Sequence, residues 1–221
     1  LMTDWQLKFK DNRILNLILK QSRLTLQTVQ AAVDSQVING CLFLFEQNYK
    51  LDAFANKKNI KFVIAPNLKS IPLKMFSNCS FLSLIFAPEV EKIADGQNNC
   101  GPFNGSRLRE VSFPKLKSLG NFAFARCPLQ QILNSDLKFC REVGKGCFWG
   151  CDQLQKVSLP RAIQIKAEAF FFCEKMIQLS VPLVHKLSNC ISICMSLVRI
   201  DAEINPKETY CVDLRCQNRK Q

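Results

Sequence analysis

Histidine is almost missing from this chain of 221 residues, which holds a single one, His185. Any Ser-His or Cys-His apparatus would have to be assembled around that residue, and its place just after a predicted strand suits a turn on the surface. No Gly-rich phosphate loop, HExxH pair or paired-carboxylate motif occurs either, so the reading is no enzyme, and no catalytic, cofactor-binding or metal-binding residue is assigned. Trp and Tyr are scarce, two of each against 17 Phe, so the aromatic surface lacks polar handles and suits a dry interior. No apolar run reaches the roughly 18 residues that a membrane-spanning helix needs, and charges interrupt the first twenty residues where a signal peptide would keep an apolar core.

Acidic residues are also short, 18 against 30 Lys and Arg, leaving a formal charge of +12. Such a balance favours nucleic acid, anionic lipid or an acidic protein. The basic residues are spread along the chain, with only brief clusters such as Lys57-Lys58 and Arg219-Lys220, so most of them read as a solvated surface. Twelve Cys raise the question of a disulfide framework, but such frameworks serve short chains that cannot build a core, and a chain of this size, 48% apolar, builds its own. The chain as it stands favours the cytoplasm. Leu1 stands ahead of Met2, and a signal ahead of it would instead mean secretion or the cell surface.

A repeat organises the rest. Leu108, Val111, Pro114, Leu116, Leu119, Phe124 and Cys127 define a template L-x-x-V-x-x-P-x-L-x-x-I followed by F-x-x-C. The strand position is Val63, Ile85, Val111, Ile132, Val157, Leu179 and Ile200; the turn position reads Pro66, Pro88, Pro114, Ser135, Pro160 and Pro182. The aromatic position is Phe76, Phe103, Phe124, Phe148 and Phe170, then Ile191, and three residues later come Cys79, Ser106, Cys127, Cys151, Cys173 and Cys194. Units of 21 to 27 residues fall in the leucine-rich range. Each predicts a short strand ended by proline, which has no N–H for the ladder, then a helical turn whose Phe and Cys face the same way. One unit buries too little to stand alone, so neighbours must stack.

These registers resemble the BspA-like leucine-rich-repeat family, and Phe124-x-x-Cys127, Phe148-x-x-Cys151 and Phe170-x-x-Cys173 carry the resemblance. It implies an α/β solenoid, curved, with short parallel strands on one face and turns or short helices on the other. It further implies a protein-binding role, including adhesion or host contact in surface proteins of bacteria and protists. The chain divides into degenerate repeats or a cap over 1–58, six to seven repeats over 59–204, and a tail over 205–221. Ile14, Leu17 and Leu19 fit the strand register, and Ala53-Phe54 matches Ala123-Phe124.

The predicted core is Val63, Ile85, Val111, Val157 and Leu179 with the aromatic and Cys registers; Cys147 and Cys190 fit the small position held elsewhere by Ala123 and Ala169. Cys41, Cys100, Cys140, Cys211 and Cys216 are unassigned, the last two being candidates for a tail disulfide. Asn78-Cys79-Ser80 and Asn104-Gly105-Ser106 are sequons that matter only in a secreted chain. Alternation places Phe62, Ile64, Leu84 and Phe86 outward. Four contiguous apolar residues there mean either a binding patch for another protein, rimmed by the 94–102 loop with Asn98 and Asn99, or burial beneath another segment. A basic scaffold for nucleic acid or an anionic surface is the alternative function.

Overall fold

The computed structural model describes residues 11–98, 100–133, 135–187 and 189–202; Asn99, Cys211, Cys216 and the 205–221 tail lie outside them. Two short helices, α1 (Arg13–Ser22) and α2 (Leu26–Ala31), and an antiparallel strand β1 (Val37–Ile38) precede a right-through stack of parallel strands. The first face of the stack holds β2 (Cys41–Phe43), β3 (Phe62–Ile64), β5 (Leu84–Phe86), β8 (Gln131–Ile132), β10 (Lys156–Ser158), β13 (Gln178–Ser180) and β15 (Arg199–Asp201). The second holds β4 (Ser70–Ile71), β6 (Lys92–Ile93), β7 (Ser118–Leu119), β9 (Glu142–Val143) and β11 (Gln164–Ile165) in one five-stranded sheet. On the third, β12 (Phe170–Phe171) pairs with β14 (Ile191–Ser192). This is a parallel-strand solenoid with few helices.

Equivalent residues of successive rungs pair directly, Leu42 with Val63 with Ile85, and Val157 with Leu179 with Ile200. Val63, Ile85, Val111, Val157 and Leu179 therefore project into a shared core, together with Phe76, Phe124, Phe148, Phe170, Cys79, Cys127, Cys151, Cys173 and Cys194. The phenylalanines form one column of nearly parallel rings, with centroids 5.6 Å apart from Phe76 to Phe103, 5.3 Å to Phe124, 5.6 Å to Phe148 and 5.3 Å to Phe170. Beside it each thiol donates to the carbonyl of the preceding rung's phenylalanine: Cys151 to Phe124 at 3.1 Å, Cys173 to Phe148 at 3.2 Å and Cys194 to Phe170 at 3.1 Å.

The Phe-x-x-Cys segment is a tight turn, where the sequence suggested a turn of helix. Left-handed residues bracket most of these phenylalanines at two places before and two after, as in Phe122 and Arg126 around Phe124, and Glu168 and Phe172 around Phe170; at Phe103 only the later one, Gly105, is left-handed. A helix cannot run through a left-handed residue. The break turns alternate N–H groups toward the next rung, so Phe124 donates to Cys147 (2.9 Å) and Arg126 to Trp149 (2.7 Å). Around Phe148 the two bracketing positions are Gly146 and Gly150, the residue that adopts this conformation without steric cost.

The fourth rung corrects one register. Val143 pairs with Leu119, and Cys140 donates its N–H to Leu137 as Leu116 does to Phe113. Lys138, three residues beyond Ser135, therefore occupies the proline position, and ahead of it the Asp136 carboxylate accepts the Leu133 N–H at 2.8 Å. Cys140, unassigned from sequence, falls in the core column of Leu68, Val90, Leu116, Ala162 and Val184 and is fully buried.

The N-terminal segment corrects another. Ile14, Leu17 and Leu19 lie in helix α1, not in a strand: the Asn12 side chain accepts the Leu15 N–H at 3.0 Å, and left-handed Arg23 ends the helix. Ile14, Leu15, Ile18 and Ser22 share its buried face, the spacing of a helical stripe. That stripe, with Val29 of α2, covers Phe62, Ile64, Leu84 and Phe86, which are 6%, 0%, 5% and 2% exposed. These four residues form a second core and no free patch for a partner. Strands β2, β3 and β5 are apolar at every position because both of their faces are dry. The solenoid ladder already includes Cys41–Phe43, and Phe54 stacks on Phe76 at 6.0 Å, so a rung precedes residue 59.

Candidate functional site: a groove along the proline turns

Between the first and second faces, the rungs run Pro-x-apolar-x, with Lys138 in place of proline in one of them. The apolar residue is drawn inward by an N–H bond to the carbonyl three residues back, as for Val90 to Ala87, Leu116 to Phe113 and Ala162 to Leu159. Its two neighbours are thereby forced outward. Two surface columns result: Asn67, Glu89, Lys115, Phe139, Arg161 and Leu183; and Lys69, Glu91, Lys117, Arg141, Ile163 and His185. The second is tied rung to rung through its own backbone, Glu91 N–H to Lys69, Lys117 to Glu91, Arg141 to Lys117 and Ile163 to Arg141, at 2.9 to 3.2 Å. Successive side chains are thus held at strand spacing, about 4.8 Å.

The columns change character along the stack. At the N-terminal end every lysine of the columns is paired: Glu89 receives Lys69 at 3.0 Å and Lys115 at 2.7 Å, and Glu91 receives Lys117 at 2.6 Å. That last bond holds the Glu91 carboxyl below its ordinary range. Toward the C-terminal end the cations are not paired. Among the described residues no acid pairs with Arg141 or Arg161, and beside them Phe139, Ile163 and Leu183 are 40%, 48% and 44% exposed. Arg161 and Lys138 lie over the Phe139 ring, 5.1 and 5.5 Å from its centre, in cation–π contact. The groove between the columns encloses about 720 Å³ and is lined by Glu91, Lys115, Lys117, Phe139, Arg141, Arg161, Ile163 and Leu183.

Sequence reasoning missed this groove. With Ser135 taken as the turn position, the outward pair of the fourth rung would have been Asp136 and Lys138, which hid Phe139 and Arg141. The signal was present in the residues flanking the inward apolar position. Asn98, assigned to a partner surface with the covered four, is exposed in a hairpin closed by the Gln97–Cys100 bridge. Its neighbour Gly96 donates to Asn121 at 2.6 Å, so the loop sits at the corner after β6, away from the outer side of β3 and β5. His185 stands exposed at the end of the second column.

The cysteines offer no reactive thiol in the core. The ten described are unbridged; burial pushes Cys41, Cys127 and Cys140 up to about 12 and Cys147, Cys151 and Cys173 well above the usual thiol value. Among the described residues no three His, Cys, Asp or Glu gather as a metal set, and no helix is long and apolar enough to cross a membrane.

Comparison with known proteins agrees with this architecture. The family model described as BspA type Leucine rich repeat region matches in six copies, over residues 47–97 and 97–198. No curated protein matches the chain. Among solved structures it is similar to a leucine-rich repeat protein from Bacteroides ovatus, with 21% identity over 69% of this chain and 46% of that one, TM-score 0.48. It is also similar to a leucine rich cell surface protein from Faecalibacterium prausnitzii, with 17% identity over 73% of this chain and 65% of that one, TM-score 0.31. The chain thus spans less than two thirds of the length of either. With six repeat copies covering most of its length, the chain belongs to the BspA type leucine-rich-repeat family.

Proposed function

We propose that the chain is a non-enzymatic scaffold that binds another protein through the groove along its proline turns. The observation that supports this most is the row of half-exposed Phe139, Ile163 and Leu183 on consecutive rungs. Contiguous apolar side chains on a charged surface mark contact sites, and a solenoid offers such a row on a rigid frame. The thiols of the cysteine column are buried and held protonated, which favours packing over catalysis for them. Adhesion or host contact is the role such a scaffold would serve on a cell displaying it.

A photo-crosslinking residue placed at Ile163 or Leu183, and for comparison at Lys156 on the first face, tests this in cells of the source organism. Protease-sensitive adducts from the two groove positions, and few from Lys156, are expected. Adducts removed by nuclease would support the basic scaffold for nucleic acid instead, and equal yield at Lys156 would move the contact off the groove.

A further inference from the structure

We infer that the groove selects a protein segment that is acidic and carries an apolar anchor. The inference rests on the proposed protein-binding role and adds the chemistry of the partner. Two features of the groove carry it. Arg141 and Arg161 stand on adjacent rungs with no acid paired to them among the described residues, while the lysines of the preceding rung are already paired with Glu89 and Glu91. An arginine fork receives a carboxylate through two parallel bonds, so the unsatisfied charge lies at the C-terminal half of the groove and asks for carboxylates there. Ile163 and Leu183 supply an apolar wall beside those forks, each nearly half exposed, with room for a leucine or phenylalanine side chain in about 720 Å³.

A nucleic-acid strand fits this surface less well. Sequence-tolerant binding of single strands uses open aromatic faces on which bases stack, and the one exposed ring of the groove, Phe139, already carries Lys138 and Arg161 over it. Glu91 in the lining would repel a phosphate backbone that followed the columns. A peptide avoids both problems by placing its carboxylates over the arginines and its anchor against Ile163 and Leu183.

Fluorescence anisotropy with a labelled synthetic peptide of glutamates carrying a leucine and a phenylalanine at its centre tests the inference on the whole chain. Binding that weakens about tenfold or more in Arg141→Glu or Arg161→Glu, and also in Leu183→Ser, is expected, with Lys156→Glu close to the parent. All four positions are exposed, and an unchanged circular dichroism melt verifies each fold. Equal loss in Lys156→Glu would reduce the effect to net charge and overturn the inference, as would equal affinity for an all-glutamate peptide or for single-stranded polyuridylate. No peptide binding at all, with protein adducts still formed at Ile163 and Leu183, would overturn the acidic-anchor chemistry and leave the protein-binding role standing.

Discussion

The cysteine column shows how one residue type serves packing and hydrogen bonding together. At the end of each turn a carbonyl of the preceding rung faces the core, and an unpaired buried carbonyl costs roughly 1–3 kcal/mol. A thiol is small and apolar enough to stack, yet donates a proton: Cys127 reaches the Phe103 carbonyl at 3.4 Å and Cys151 that of Phe124 at 3.1 Å. Ser106, the one departure, remains buried and meets the Cys127 sulfur at 3.5 Å. Because the thiolate is the reactive form and burial pushes Cys127 from an ordinary 9.0 up to about 12, alkylation of the folded protein near neutral pH should label half-buried Cys100 and spare Cys127, Cys151 and Cys173. Peptide mapping after iodoacetamide treatment reads this directly, and labelling of the column in the folded state would mean that it is open to solvent. The sign for stability follows from the same shift. The folded state holds the Cys127 proton more tightly than the unfolded state, so its contribution is complete below about pH 9 and is lost as pH rises toward about 12; the urea midpoint should fall between pH 8 and pH 10.

At the scale of elements, helix α1 is a lid fastened at one edge. Its apolar stripe covers β3 and β5, and Arg13 at its first turn pairs with Glu110 and lies 3.6 Å from Asp136. Burial raises the Asp136 carboxyl, while the Leu133 N–H and Arg13 oppose the rise. Arg13→Met should therefore cost on the order of 1 kcal/mol at pH 7, and less at acid pH, once the Asp136 carboxyl that burial has raised takes up its proton. Urea melts of parent and variant at the two pH values measure it, and an equal cost at both would show that Arg13 acts through packing alone. This lid also explains where sequence reading stopped. The inward registers were legible because Val63, Ile85, Val157 and Leu179 recur at fixed distances. The run Phe62-Val63-Ile64 announced burial on both sides as much as an exposed patch, and only the helix decides between them. Ile14, Leu17 and Leu19 fit a strand register by composition, whereas the Asn12 cap and the Ile14-Ile18-Ser22 spacing specify the helix. The groove was hidden by three inserted residues in one rung.

Across the whole molecule the three ladders are not equally continuous. The second face runs unbroken from β4 to β11, and the phenylalanine column crosses the centre with Phe103 and Phe124 at 5.3 Å. The first face divides into two four-stranded sheets, β1 to β5 and β8 to β15, with no strand over residues 110–112. Joining them there are Arg109, whose N–H reaches Ser83 and whose carbonyl accepts from Gln130, both at 3.3 Å, and Phe113, whose N–H reaches Asp136 at 2.7 Å and whose ring sits 6.4 and 6.3 Å from those of Phe103 and Phe124. Stability in a solenoid is close to a sum over neighbouring rungs, so the missing strand is a weak seam in an otherwise coupled stack. The rungs before it are closed on both sides of the sheet by α1 and α2, whereas those after it have one side open to water. Amide exchange followed by mass spectrometry should find 110–112 less protected than 62–64 or 156–158. With rising urea, protection should be lost first over 131–201 and later over 41–93, the boundary falling at 108–113. Simultaneous loss across that boundary would mean that the second face and the phenylalanine column couple the two halves strongly enough to override the break in the first.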